Sequence, residues 1–152
     1  MADVVQQTRS EKHAYIIDVD IWRGLGFEQL LEKMARNVKH TQGVFKTLNK
    51  GEEWARLAAD LGALYVSSLV LEPGNGQHLY MGTSKGIFQS RDGGQTWSAT
   101  NDGLENLNIR AIAMDPRNSR VLYVGTNGSG LFRSQDGGES WTHLPLASKV
   151  EE

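Results

Sequence analysis

With 152 residues, 39% of them hydrophobic and 22% charged, the chain has the composition of a packed globular domain rather than a disordered segment. Its 16 basic and 18 acidic residues give a formal charge of −2 without any block of one sign, which argues against a surface that tracks nucleic-acid phosphates. Zero cysteines exclude disulfides, thiolate metal centres and a cysteine nucleophile, and no run reaches the ~20 apolar residues of a membrane-spanning helix.

Met1 to Ser10 is polar and lacks the apolar run of a secretory signal, so a cytoplasmic location is expected. Ala14 to Trp22 reads as a strand, with Ile17, Val19 and Ile21 on one face and Asp18 and Asp20 on the other. Gly24-Leu25-Gly26 follows. Phe27, Leu30, Leu31, Met34, Ala35 and Val38 then recur at helical spacing, opposite Glu28, Glu32, Lys33 and Arg36. This predicts an amphipathic helix whose apolar face, Phe27, Leu30, Leu31, Met34 and Val38, is a candidate protein interface. Residues 1–42 form a strand-helix arm that repeats nothing else in the chain.

From residue 43 the chain becomes periodic, and its 17 glycines mark the period. Gly86-Ile87-Phe88-Gln89-Ser90-Arg91-Asp92-Gly93-Gly94-Gln95-Thr96-Trp97 returns 44 positions later as Gly130-Leu131-Phe132-Arg133-Ser134-Gln135-Asp136-Gly137-Gly138-Glu139-Ser140-Trp141. A worn copy, Gly43-Val44-Phe45-Lys46-Thr47-Leu48-Asn49-Lys50-Gly51-Glu52-Glu53-Trp54, stands 43 positions before the first of these. The register extends beyond the motif: Leu61, Val66, Leu69, Leu71, Pro73, Leu79, Tyr80, Gly82 and Thr83 are matched by Leu104, Ile109, Ile112, Met114, Pro116, Leu122, Tyr123, Gly125 and Thr126.

Each unit reads as four short strands. Val66 to Leu71, or Ile109 to Met114, ends at a turn containing Pro73 or Pro116. Gln77 to Met81, or Arg120 to Val124, leads through a polar loop into Gly86 to Ser90, or Gly130 to Ser134. An Asp-Gly-Gly turn then introduces a short strand around the tryptophan, because Asp-Gly tolerates positive φ and the carboxylate can accept backbone N–H bonds.

Ser90 to Trp97 and Ser134 to Trp141 resemble the Asp-box, or bacterial neuraminidase repeat, of sialidases, sortilin-type receptors and propeller-type photosystem II assembly factors. The resemblance covers roughly residues 43 to 145. It implies an all-β fold of Asp-box β-propeller blades, each four-stranded and carrying its box between the third and fourth strands. Asp92, Gly94, Trp97, Asp136, Gly138 and Trp141 are then structural, since a packing residue is needed in every blade and a catalytic one only once. The expected organisation is an arm over 1–42, blades over 43–146 and a tail over 147–152.

Two complete blades and a partial one cannot close a ring, which needs about four or more. Open edges invite pairing. The arm could complete the first blade, so that two chains make a six-bladed ring; it could dock the blades on a larger protein assembly; or the chain could be a recombined or engineered fragment without an evolved ligand. The expectation is a non-catalytic interaction or assembly module that binds itself or a larger complex. The alternative is a carbohydrate-binding or sialidase-related glycoside hydrolase.

Sialidase chemistry requires an arginine cluster, a tyrosine nucleophile paired with a glutamate, and an aspartic acid. No complete set of these can be assembled, and Tyr80 and Tyr123, at one repeat position, read as core. No cofactor or metal is expected, because His13, His40, His78 and His143 lack ligand spacing. By the same resemblance, the loops between second and third strands and between blades share a binding face. Its candidates are Ser84, Lys85, Asn101, Asp102, Asn106, Asn108, Arg110, Asn127 and Ser129, whose amides, hydroxyls and cations suit sugar hydroxyls or a polar protein surface.

Overall fold

The computed structural model describes residues 13–17, 43–47, 53, 55–58, 61 and 65–145. The predicted helix over 27–38, with its interface face Phe27, Leu30, Leu31, Met34 and Val38, lies outside the described residues, as does the tail over 147–152. The described residues form three sheets and no α-helix, so none of them supplies a helix long and apolar enough to cross a membrane.

The first sheet contains β1 (His13–Ile17), β2 (Gly43–Thr47) and β3 (Ala55–Leu57). The second is a four-stranded antiparallel meander of β4 (Val66–Glu72), β5 (Asn75–Thr83), β6 (Gly86–Ser90) and β7 (Ser98–Ala99). The third repeats it with β8 (Ile109–Asp115), β9 (Asn118–Thr126), β10 (Leu131–Ser134) and β11 (Thr142–Leu144). Repeat positions occupy identical places in the ladders: Leu69, Met81, Phe88 and Ala99 lie across the second sheet as Ile112, Val124, Phe132 and His143 lie across the third. Even the irregularity near the start of the first strand recurs, between Val66 and Ser68 and between Ile109 and Ala111. The short fourth strands begin after Trp97 and Trp141 rather than around them, because both indoles belong to the turn.

The first sheet departs from this plan. β1 pairs with β2 in parallel, from His13↔Gly43 to Ile17↔Thr47, where the other sheets place an antiparallel second strand. Parallel neighbours cannot be joined by a hairpin and need a long connection. The strand expected over 14–22 therefore exists at its beginning, and its direction is the unexpected part.

Period-two alternation sends the two faces of each strand into different cores. Leu79 and Met81 point to the first sheet and join Leu69, Trp97, Val44 and Ala58. Tyr80 and Ile87 point to the third and join Ile109, Ile112, Leu122, Val124, Phe132 and Trp141. Each core is a sandwich filling between two sheets, and burying a side chain such as Phe132 contributes about 1.5–3 kcal/mol. Gly82 sets how closely the second and third sheets approach. A Cβ there would stand 2.8 Å from Ile109 Cγ2 and 2.9 Å from Ser68 Oγ.

Candidate functional site

The two intact boxes fold identically. Ser90 Oγ donates to Asp92 Oδ1 at 2.8 Å while accepting from Gly94 N at 2.8 Å, and Thr96 binds both carboxylate oxygens, through its N at 2.8 Å and its hydroxyl at 2.5 Å. In the third sheet Ser134, Asp136, Gly138 and Ser140 repeat this at 2.7, 2.8, 2.9 and 2.5 Å. Donors aimed at the ionised form hold both carboxyls down to about 2, the Thr96 or Ser140 hydroxyl being the largest cause. These aspartates are turn struts at neutral pH. Gly138, at φ 90°, suits glycine for a second reason: its α-carbon faces the Tyr80 ring, whose Cε1 would lie 3.0 Å from an added Cβ, tighter than an ordinary contact.

The boxes also fasten each sheet to the one before it. Between second and third, the Tyr80 hydroxyl donates to the Gly137 carbonyl at 2.7 Å and the Thr100 hydroxyl donates to the Gly138 carbonyl. Trp141 returns two bonds, from its indole Nε1 to Thr100 O and from its backbone N to Asp102 O, both 2.8 Å. Ser67 Oγ reaches Ile109 O at 2.7 Å. Between first and second, Lys46 Nζ donates to Gly93 O at 3.4 Å. There Trp97 turns its indole inward to Gly94 O at 2.8 Å.

The loop-face candidates gather at one end of the sheets, and several spend their polar atoms locally. Asn101 Oδ1 accepts from Ile87 N at 2.7 Å, and Ser84 Oγ accepts from Tyr65 N at 3.4 Å. Asn106 bridges Asn108 N and the Asn127 carbonyl at 2.9 and 2.8 Å, and Thr126 Oγ1 accepts from Ser129 N at 3.1 Å. Lys85, Asp102, Arg110 and Asn127 are exposed there, beside the exposed Tyr65 and Leu107.

A cavity of about 300 Å³ opens at the opposite end, between the second and third sheets, and none of the loop-face residues lines it. Glu72, His78, Arg91, Arg120 and Glu139 form much of its wall. His78 Nδ1 lies 2.9 Å from Glu72 Oε2, its Nε2 lies 3.3 Å from Gln89 Oε1, and its ring tilts at 45° over Tyr80. Hydrogen bonds from Ser119 first and His78 next lower the Glu72 carboxyl. Tyr80 borders the cavity, but burial pushes its phenol up to about 12 and its proton is committed to Gly137 O. Among the described residues no three histidines or carboxylates are grouped as metal ligands.

Tyr123 corrects the expectation from repeat position. Tyr80 is fully buried, whereas Tyr123 is 39% exposed, and Leu131 is 39% exposed where its counterpart Ile87 is fully buried. The reason is geometric: this face of the third sheet is the one that, in the second sheet, receives the next sheet. Gly125 accordingly has nothing nearer its Cβ position than Leu131 Cδ2, at 3.7 Å. Taken one by one, Tyr123, Gly125 and Leu131 are not marked in the sequence as a surface. The signal that finds them is the repeat register combined with asking which sheet packs on each one.

The described sheets and turns have the architecture of Asp-box β-propeller blades. Residues 85–152, somewhat under half of the chain, match the family model described as Sortilin, neurotensin receptor 3. Among solved structures the chain is similar to an ancestral GH74 enzyme, at 27% identity and a TM-score of 0.53 over 66% of this chain, and to the GH74 enzyme of Niastella koreensis, at 23% identity and 0.56 over 66%. It spans only 15% and 18% of those two proteins. A structure titled YCF48 bound to D1 peptide also matches, at 22% identity and a TM-score of 0.46, over 61% of this chain and 31% of that one. No curated protein matches the chain.

Proposed function

We propose that the chain is a non-catalytic protein-interaction or assembly module, working through the exposed flank of its third sheet on a second copy or a larger complex. The observation that carries this reading is the contrast between Tyr80 and Ile87, both sealed, and Tyr123 and Leu131, each 39% exposed at the same repeat positions. A flank with the residues of an inter-sheet core, left in water, costs free energy that a partner recovers. The aspartates of the boxes are saturated by turn donors, and the cavity tyrosine is held as a neutral donor to a backbone carbonyl.

Light scattering coupled to size exclusion, together with affinity capture, tests the reading. The wild-type chain is expected to exceed 16.8 kDa or to retain a partner. Leu131→Asp is expected to abolish that association while leaving the thermal transition cooperative. A wild-type monomer that retains nothing ends the proposal.

The 27% identity to an ancestral GH74 enzyme favours a second reading, in which the chain belongs to a carbohydrate-active protein and its loop face touches sugar. Turnover of a fluorogenic glycoside, lost in Arg110→Ala, would favour it; no turnover in the intact assembly would remove it.

A further inference from the structure

We infer that the cavity between the second and third sheets is a binding site for a small zwitterion of the α-amino-acid kind, its carboxylate held by Arg91 and Arg120 and its ammonium group by Glu139. The site is independent of the exposed flank, because it is walled by two sheets of this chain and needs no partner to form.

The cavity is not a by-product of the repeat. At the junction of the first and second sheets the same place is filled: a Cβ on Gly93 would stand 3.1 Å from Gln77 Oε1 and 3.4 Å from Lys46 Nζ. Gly137 is the repeat counterpart of Gly93, and a Cβ there would meet only Tyr80 Oη, at 3.8 Å. The counterparts of the two fillers are Arg120 and Gln89, and neither comes within 4 Å of that position. Gln89 is drawn aside to His78 Nε2, at 3.3 Å, and Arg120 takes a place in the cavity wall.

The charged wall is equally particular to this junction. Tyr80, Asp136 and Gly137 belong to the fold and recur as Tyr123, Asp92 and Gly93. His78, Arg91, Arg120 and Glu139 do not recur; the other unit has Val121, Gln135, Gln77 and Gln95 in their places. A residue that builds a blade is needed in both units, whereas these four ionisable groups occur once and share one cavity.

Charge selects the ligand. Asp136 spends its two oxygens on Ser134 and Ser140, and Glu72 is engaged by His78 at 2.9 Å and Asn75 at 3.2 Å. Arg91, Arg120 and Glu139 make no ion pair among the described residues. Two cations and one anion are therefore open to a ligand. A simple anion would face Glu139 as well as the guanidiniums, and a simple cation would face both arginines; a molecule carrying both signs satisfies all three groups. Guanidiniums suit the planar carboxylate in particular, because their fixed donors match its two oxygens. At about 300 Å³ the cavity lies at the lower end of ligand pockets, which fits an amino acid rather than an oligomer.

Isothermal titration calorimetry of the full chain at fixed ionic strength tests the site, with L-alanine, L-serine, L-glutamine and L-glutamate as probes and acetate and methylammonium as the two half-ligands. At least one amino acid is expected to bind, and neither half-ligand to do so at the same concentration. Arg91→Gln, Arg120→Gln and Glu139→Gln each install the residue that the other unit carries at that position, so the ligand-free melting temperature is expected to stay unchanged. Each should weaken binding about tenfold or more, as expected for the loss of a hydrogen bond to a charged group. Arg133→Gln, outside the cavity, also installs its repeat counterpart and should leave binding intact.

Absence of binding by all four amino acids overturns the proposal. So does binding matched by acetate, which would make this a plain anion site, and so does binding that survives Arg91→Gln and Arg120→Gln or is lost in Arg133→Gln. The molecular mass of the assembly is expected to be the same in all of these variants, so the result is read separately from the flank.

Discussion

The second and third blades share strand register, turn chemistry and most of their apolar positions, yet they bury those positions differently. Tyr80 is sealed between two sheets and bonded to Gly137, whereas Tyr123, at the same place in its own sheet, is 39% exposed. Burial here belongs to the contact between neighbouring blades rather than to the residue. That is the behaviour of a repeat architecture, whose stability is roughly a sum of intrinsic and nearest-neighbour terms. One blade reports the neighbour term and its twin reports the molecule without it.

The sharpest way to break the comparison is a matched pair of truncations. Tyr80→Ala empties a fully buried site and orphans the Gly137 carbonyl, so a loss of about 3–5 kcal/mol is expected, the range for buried aromatics. Tyr123→Ala removes a ring that is 39% exposed and that no further sheet covers among the described residues, and should stay within about 1 kcal/mol. Urea unfolding of both variants checks this. Equal losses would mean that the third flank is already covered in solution.

Much of this was legible in the sequence, and the reasons are physical. Strands over 66–71, 77–81 and 86–90 follow from apolar runs bounded by proline and glycine, and the observed β4, β5 and β6 contain them. The boxes follow from the local demand for positive φ at Gly93, Gly94, Gly137 and Gly138. What escaped was non-local. Alternation predicts a strand near Ala14 but carries no direction, so the parallel pairing of β1 was not legible. The amide of Asn101 reads as a binding group until the fold sets it on Ile87 N. Trp97 and Trp141 look equivalent in sequence, but Trp97 turns its indole to Gly94 O of its own box while Trp141 reaches the backbone carbonyl of Thr100 in the preceding blade.

The boxes are the control, because both blades hold them alike. Each aspartate is depressed from 3.8 to about 2 in the folded chain, so the unfolded chain binds protons more readily as pH falls. Their contribution is fully present above about pH 4 and is lost as pH falls towards about 2. Asp92→Asn and Asp136→Asn, which reproduce the Asn49 of the first box, should each flatten the acid limb of a melting-temperature profile by a similar amount. A much larger effect at one box would show that the two turns are not energetically equivalent.

The smallest effect concerns a polar atom that the comparison exposes as superfluous. Ser68 is buried, and its hydroxyl has no hydrogen-bond partner among the described residues. The third sheet carries Ala111 at the same repeat position, on the flank that faces water. An unsatisfied buried hydroxyl carries a desolvation cost, so Ser68→Ala should be neutral or stabilising by up to about 1 kcal/mol. The sign is the informative part. A loss of stability would mean that the hydroxyl is satisfied in solution, and would mark the contact beside Gly82 as wetter than its close approach to Ile109 suggests. A gain would show that the inter-blade contact prefers the apolar residue even where the native chain has kept the polar one.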